Sequence, residues 1–184
     1  MFSKQTYINR RARLAREVGD GVLLFLGNDL VGMNYAGNEY HFRQDSSFLY
    51  YFGLDYAGLA AVIDIDRGEE VIYGDELTID DIVWTGTMPT LQANASLVGV
   101  EKTLPLSALK GYLKERKVRF LPPYSGDHRL CLQKILGIAP SRQGARADEA
   151  FIKAVVDMRN HKTPEEVAAI EEAVDISTEM HLLA

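Results

Sequence analysis

The chain is organised around fifteen residues that begin polar and become aromatic, Glu39-Tyr40-His41-Phe42-Arg43-Gln44-Asp45-Ser46-Ser47-Phe48-Leu49-Tyr50-Tyr51-Phe52-Gly53. Six of them are Phe or Tyr, whereas aromatic residues make up only 9% of the whole chain. Because neighbouring side chains of a strand point to opposite faces, the aromatic half predicts a strand that is covered on both sides. The polar run from Arg43 to Ser46 is typical of a turn that leads into such a strand.

The composition is that of a globular protein with a full hydrophobic core. The chain has 184 residues, of which 47% are hydrophobic and 25% are charged, enough for one domain and a further segment. Its single cysteine excludes an internal disulfide and agrees with a reducing compartment. Residues 1–16 contain no signal-peptide core, and no apolar run approaches the ~20 residues of a membrane span. We therefore expect a cytoplasmic protein. The net charge of −6 disfavours nucleic acid as a partner.

Helices and strands alternate on both sides of the aromatic stretch. The sequence predicts strands at 22–26, 59–65, 70–73 and 118–121, with a hairpin turn at 66–69. It predicts helices at 7–18, 91–98, 107–117, 127–136 and 148–159. This pattern is typical of an α/β layered domain with a mixed sheet. We expect the arginines of the first helix on a solvated face, and the only tryptophan, Trp84, at the edge of the core.

Candidate catalytic residues are few. Asp64 and Asp66 lie two positions apart in a predicted strand and its turn, so their carboxylates would point the same way and suit a hard cation. Ending a strand and opening a turn are commoner roles of Asp, and no third ligand accompanies the pair, so we favour a structural role. The histidines at positions 41, 128, 161 and 181 form no paired metal-binding motif, and no G-x-S-x-G motif is present. We assign no catalytic residue.

The last predicted helix starts with strong signals and carries a wide apolar surface. Thr163 is its N-cap, Pro164 takes the first helical position and Glu166 completes a capping box. Its apolar positions form two adjoining rows: Val167, Ile170, Ala173, Val174, Ile176, Met180 and Leu183. The sequence stops at Ala184 without a helix stop signal, so we expect a fragment whose last helix belongs to a following domain.

Three motifs together resemble a known family. The stretch 39–53 is similar to the signature of the aminopeptidase P N-terminal domain, and the Arg10-Arg11-x-x-Leu14 opening agrees with it. The run Arg159-x-x-Lys162-Thr163-Pro164-Glu165-Glu166 resembles the linker and first helix of the "pita-bread" catalytic domain that follows. The resemblance implies the fold of the creatinase/prolidase N-terminal domain, a three-layer α/β/α arrangement with a mixed sheet and a ribonuclease H-like motif. It assigns residues 1–159 to that domain and 160–184 to the linker and first helix of a truncated catalytic domain.

The resemblance also implies a function for the parent protein. It would be an Xaa-Pro aminopeptidase, a metalloenzyme that removes the N-terminal residue preceding proline. In the family, two divalent metal ions, usually manganese, are held by two Asp, one His and two Glu of the catalytic domain, beyond Ala184, so neither metal nor catalytic residues fall on this chain. The present domain would wall the active-site mouth and support a homo-oligomer such as a dimer. Its partners would be its own catalytic domain and peptides with proline in second position.

The candidates for lining that mouth are Arg43, Phe48, Leu49 and Tyr50, and some relatives carry tryptophan at position 49. For each of them we favour a core-packing role over lining the mouth. Two other functions stay open, a stand-alone protein-binding module and the N-terminal domain of a related prolidase or creatinase-type hydrolase. The Arg43-Gln44-Asp45-Ser46 run favours the aminopeptidase. A nuclease that uses Asp64 and Asp66 ranks third.

Overall fold

The computed structural model describes residues 1–35 and 37–183, so Ala36 and Ala184 lie outside the description. The described residues form seven β-strands and nine α-helices. The strands are β1 (Val22–Leu26), β2 (Gly32–Tyr35), β3 (Asn38–Glu39), β4 (Ala60–Asp64), β5 (Glu69–Tyr73), β6 (Lys102–Leu104) and β7 (Val118–Phe120). The helices are α1 (Lys4–Val18), α2 (Ser46–Phe52), α3 (Ile79–Thr85), α4 (Leu91–Leu97), α5 (Leu109–Leu113), α6 (Gly126–Leu136), α7 (Pro140–Arg146), α8 (Glu149–Asn160) and α9 (Pro164–Leu183). None of these described helices has the length and apolar character needed to cross a membrane.

Five strands form a mixed sheet at the centre of the fold, in the order β6-β5-β4-β1-β7. β4 pairs antiparallel with both β1 and β5, whereas β7 runs parallel to β1 and β6 runs parallel to β5. The turn between β4 and β5 lies where the sequence predicts it and contains Gly68 at a φ of 64°, which a glycine adopts without strain. The predicted α/β class and mixed sheet are confirmed.

Helices cover both faces of this sheet. Leu23 and Phe25 of β1 point into one core, which includes buried residues of α1, α2, α4 and α8. Val22 and Leu24 point into the other core, which includes buried residues of α5 and α6. This alternation along β1 is the period of two that a strand buried on both sides requires. The arrangement has the three layers that were expected, helices, sheet and helices.

The aromatic half of the organising stretch is a helix, so the prediction of a strand there is wrong. α2 begins after Asp45 and ends at Gly53, which has a left-handed φ of 64°. Its fully buried residues are Phe48, Tyr51 and Phe52, whose spacing of three and four positions is one face of a helix. In a run where almost every residue is aromatic, the apolar pattern fits both the helical period of about 3.6 residues and the strand period of two. The capping residues at the two ends then decide the structure.

Several helix boundaries differ from the prediction, among them the start of α1 at Lys4, the start of α6 and both ends of α5. Ser125, rather than Asp127, caps α6 by accepting a hydrogen bond on its side chain. α5 ends at Leu113 instead of continuing to position 117. Glu115 has a left-handed φ of 59°, which a right-handed helix cannot contain, and Arg116 beyond it binds Asp64.

α3 lies outside the two cores, and the prediction that Trp84 sits at a core edge is wrong. Trp84 is 88% exposed, and Ile79 and Val83 on the same helix are exposed as well. The helix starts with a capping box in which Thr78 and Asp81 bond to each other. These hydrogen bonds from Thr78 lower the pKa of the Asp81 carboxyl. Ile79, Val83 and Trp84 form an exposed apolar surface that we call the α3 patch.

Candidate functional site

The candidate site is built on α2, which is fixed at both ends. Asp45 Oδ1 accepts hydrogen bonds from the backbone N–H groups of Ser47 at 2.9 Å and Phe48 at 2.8 Å, an N-cap that satisfies two otherwise unpaired donors. At the other end, a Cβ on Gly53 would lie 2.3 Å from Cζ of the Tyr7 ring. Only glycine fits there, because of both its φ and this close approach. The run 45–53 is therefore a capped helix set tightly against α1.

Two consecutive arginines of α1 bind the carbonyl end of α2. Arg10 Nη1 donates a hydrogen bond to Tyr50 O at 2.8 Å, and Arg11 Nη1 donates one to Tyr51 O at 3.0 Å. Carbonyls in the last turn of a helix have no partner within the helix, and cationic groups there also complement the helix dipole. The contacts join the Arg10-Arg11 motif to the aromatic stretch.

Arg11 is completely buried, and the expectation of a solvated arginine face is wrong for Arg10 and Arg11. The exposed fraction of Arg11 is 0%, and its Nη2 and Nε donate to Val98 O at 2.9 Å and to Glu70 at 2.8 Å. Burial lowers the pKa of the Arg11 guanidinium, and the charge of Glu70 opposes that shift. A guanidinium is suited to this position because its donors point in several fixed directions. Arg13, in contrast, is exposed as predicted.

Gln44 holds the segment that enters α2. Its Oε1 accepts hydrogen bonds from the backbone N–H groups of Asn28 at 2.8 Å and Asp45 at 2.9 Å. Its Nε2 donates to Leu54 O at 3.2 Å and Tyr56 O at 2.9 Å. The amide thus uses both oxygen lone pairs and both N–H donors while it is buried. The sequence places Gln44 only in a turn, because nothing in the local pattern shows that four separate backbone groups meet there.

The four predicted mouth residues occupy different surroundings. Phe48 is fully buried, with its ring centroid 5.2 Å from that of Phe52, so it packs in the core. Leu49 is 38% exposed on the outer side of α2. Tyr50 is half-buried, and Arg43 is exposed on the segment before the helix. The structure therefore brings Leu49, Tyr50 and Arg43 to the surface and keeps Phe48 inside.

Tyr50 lies at a groove of about 480 Å³ between α2 and α9. The guanidinium carbons of Arg10 and Arg159 lie 4.0 Å and 5.7 Å from the centroid of the Tyr50 ring, within the range of cation–π contacts. Burial raises the pKa of the Tyr50 hydroxyl. Ile170 and Ala173 of α9 contribute apolar surface on the other side of the groove. Such a lining suits contact with a protein segment.

Arg43 lies at a separate groove of about 240 Å³. His41, Tyr124 and His128 line it together with Arg43. Nε2 of His128 lies 3.0 Å from Gly27 O, which engages this ring nitrogen in the fold. Burial raises the pKa of the Tyr124 hydroxyl. The structure thus places Arg43 beside two imidazoles and a phenol, in a groove that Tyr50 does not line.

Asp64 and Asp66 both serve the fold. Arg116 Nη2 donates to the two carboxylate oxygens of Asp64 at 2.6 Å and 2.8 Å, and Tyr112 donates to Oδ2 at 2.7 Å. Burial alone would raise the pKa of Asp64, but the hydrogen bonds from Tyr112 and Arg116 outweigh it and lower the pKa. Asp66 Oδ1 accepts a hydrogen bond from the Gly21 N–H at 2.8 Å. Within residues 1–35 and 37–183, no three His, Cys, Asp or Glu side chains form a group that could hold a metal ion, so these residues do not fit a metal centre.

Comparison with known proteins connects this architecture to a family. The family described as "Aminopeptidase P, N-terminal domain" matches residues 7–119. The chain is 29% identical over 111 residues to "Intermediate cleaving peptidase 55, mitochondrial" of Arabidopsis thaliana, a match that covers 60% of this chain and 22% of that protein. It is 22% identical over 198 residues to the Xaa-Pro aminopeptidase of Escherichia coli (strain K12), across 100% of this chain and 44% of the relative. The chain therefore spans less than half the length of these relatives.

Solved structures share the fold over nearly the whole chain. Aminopeptidase P from E. coli in its low-pH form superposes with a TM-score of 0.79 at 22% identity, over 98% of this chain and 44% of that one. Pseudomonas aeruginosa aminopeptidase PepP superposes with a TM-score of 0.80 at 19% identity, over 98% of this chain and 43% of that one. At such identities the similarity concerns the fold alone.

Proposed function

The chain belongs to the aminopeptidase P N-terminal domain family, and from this membership we propose that it is the non-catalytic N-terminal domain of a metal-dependent Xaa-Pro aminopeptidase. The parent enzyme would remove the N-terminal residue that precedes proline in a peptide. The match of the family over residues 7–119 carries the proposal, and the E. coli relative named Xaa-Pro aminopeptidase, which aligns with all of this chain, supports it. We assign residues 1–159 to this domain and 160–184 to the linker and first helix of the catalytic domain.

The catalytic residues belong, in this proposal, to that C-terminal catalytic domain. Two divalent metal ions, which we expect to be manganese, would be bound there and would supply the activated water for peptide hydrolysis. The described residues of this chain offer no fitting ligand set. We propose that the present domain orients and encloses the substrate, and that the parent enzyme is cytoplasmic.

We propose that Arg43, Leu49 and Tyr50 line the mouth of the active site, and that Phe48 supports them from the core. Support comes from the exposure of Arg43 and Leu49, from the groove beside Tyr50 and from the separate groove beside Arg43. The guanidinium of Arg43 suits the carboxylate end of a short peptide, because it can form paired charge-assisted hydrogen bonds with it. A wall of this kind would limit the length of the substrate.

We also propose that the parent enzyme is a homo-oligomer, such as a dimer. The α3 patch supports this, since Trp84, Val83 and Ile79 expose apolar surface of the kind that protein contacts cover. Light scattering on the complete gene product checks it. The expected result is a mass of two or more subunits that falls toward one subunit in the Trp84→Ser variant, and a monomeric wild type would contradict the proposal.

The function is tested by comparing this 184-residue chain with the complete product of its gene, each with and without Mn²⁺. We expect the complete product to cleave an Xaa-Pro-Yaa tripeptide when Mn²⁺ is present and this chain to cleave nothing. A peptide with alanine in place of proline is the control. Cleavage of Xaa-Pro dipeptides alone would indicate a prolidase. An inactive complete product would point to the stand-alone binding module.

A further inference from the structure

One ion pair joins the sheet domain to the start of α9. Arg10 Nη2 lies 3.0 Å from Glu166 Oε1, and the two side chains are only 6% and 9% exposed. Through Nη1, the same guanidinium donates to Tyr50 O at 2.8 Å. Its carbon also lies 4.6 Å and 4.0 Å from the ring centroids of Phe2 and Tyr50. Arg10 thus binds both the end of α2 and the first turn of α9, and its guanidinium lies close to the rings of Phe2 and Tyr50.

The two carboxylate oxygens of Glu166 make different contacts. Its Oε2 accepts a hydrogen bond from the Thr163 N–H at 2.8 Å, while Thr163 Oγ1 accepts one from the Glu166 N–H at 3.3 Å. This is the predicted capping box, which starts the helix. Its other oxygen, Oε1, binds Arg10. One carboxylate therefore starts α9 and ties it to α1 and α2.

A second contact of the first turn also comes from α1, and the other described residues of α9 are exposed. Thr6 Oγ1 donates to Glu165 Oε2 at 2.8 Å. Among the described residues of α9, Glu166 is the one that is buried, whereas Ile170 and Val174 are exposed. Because the helix is held at its first turn, that turn sets the direction of the whole helix.

We propose that Arg10 is a positioning residue that fixes the direction in which α9 leaves the sheet domain. This inference rests on the proposed function, in which α9 opens the catalytic domain and Tyr50 lines the mouth. Since Arg10 binds both Tyr50 and Glu166, it couples the mouth to the catalytic domain. α9 has 20 residues. At ~1.5 Å per residue, a rotation of about 10° at its start moves its far end by about 5 Å.

The first experiment measures amide hydrogen exchange in the 184-residue chain. Arg10→Met removes the guanidinium. Glu166→Gln removes the charge but keeps a carbonyl oxygen for the Thr163 N–H, because Gln also forms capping boxes. Arg13→Met is the matched control on the exposed side of α1. We expect the amides in the first two turns of α9 to exchange at least about tenfold faster in the first two variants, with β1 and β4 unchanged.

The second experiment measures kinetics of the complete gene product with an Xaa-Pro-Yaa tripeptide and Mn²⁺. Arg10→Met and Glu166→Gln should raise KM by about fivefold or more, because they displace the mouth that binds the substrate. They should change kcat little, because the proposed catalytic residues lie in the other domain and are not altered. Arg13→Met should change neither constant.

Several results would overturn the inference: unchanged exchange in α9, faster exchange spread equally over β1 and β4, or an unchanged KM. The second of these would make Arg10 a general stabiliser of the core. A wild-type product that cleaves no Xaa-Pro peptide would remove the proposed function and the mouth with it. The exchange experiment would then still decide whether Arg10 holds α9.

Discussion

At the scale of single residues, Gly53 is the position where one added methyl group has the clearest consequence. Gly53→Ala should lower the free energy of unfolding by about 2–4 kcal/mol, because a left-handed φ and a clash with Tyr7 both oppose the Cβ. Gly58→Ala is the control, since its φ is also positive at 77° but nothing lies within 4 Å of the added Cβ. It should lose only about 1 kcal/mol. Urea denaturation measures both, and equal losses would contradict a tight α1–α2 contact.

The surroundings of a second residue, Asp64, lead to a prediction of how the free energy of unfolding depends on pH. Asp64→Asn should lower the free energy of unfolding by about 3 kcal/mol at pH 7, because the amide carries no charge for Arg116, which then keeps only the more distant Asp66 carboxylate at 3.8 Å as an ionic partner. The folded-state pKa of Asp64 is lowered, so its contribution is complete above the unfolded pKa of ~3.9 and is lost as the pH falls through the folded value. The difference between wild type and variant should therefore shrink below about pH 4. A difference that grows on acidification would contradict this.

At the scale of secondary-structure elements, Arg11 links α1 to α2, to the end of α4 and to β5. Arg11→Lys keeps the charge, but one ammonium nitrogen cannot replace three guanidinium nitrogens that bind Tyr51 O, Val98 O and Glu70. We expect a loss of about 2–4 kcal/mol in urea denaturation, from buried carbonyls left unpaired. Arg13→Lys is the control and should change stability by less than about 0.5 kcal/mol. A neutral Arg11→Lys would mean that charge alone matters at this position.

The elements that the sequence predicts correctly have local signals. The start of α9 follows from Thr163, Pro164 and Glu166, and β1 follows from its short apolar run between polar segments. α2 is different, because its run of aromatic residues satisfies the strand and helix periods equally. Asp45 and Gly53 carry the deciding information there, as caps rather than as part of the apolar pattern.

The candidate site is less predictable than the elements that carry it. Burial of Arg10 and Arg11 depends on the carbonyls of Tyr50 and Tyr51, which lie 40 positions further along the chain. A short stretch of sequence never contains both partners. From the sequence of α1 alone, its arginines are therefore predicted to face solvent. Gln44 is similar, since its bonds need three segments to meet. The sequence identifies these residues through family resemblance, and the structure supplies their physical role.

At the scale of the whole molecule, α9 combines a buried first turn with an exposed apolar face. Glu166 is tied to Arg10, whereas Ile170 and Val174, one and two turns further, are exposed in this chain. Both residues also line the groove that Tyr50 shares. If residues 160–184 open a catalytic domain, this face is where that domain packs, and the mouth and the domain contact lie side by side.

The last prediction follows from that arrangement. The double variant Ile170→Ser/Val174→Ser should change the free energy of unfolding of the 184-residue chain by less than about 0.5 kcal/mol, because both side chains are exposed there. In the complete gene product, it should lose about 3 kcal/mol or more, since two apolar side chains would leave a buried contact. Glu172→Ser, on the opposite side of α9, is the control and should be neutral in both proteins. A double variant that is equally neutral in both would contradict the assignment of α9 to a following domain, and with it the placement of the mouth beside that domain.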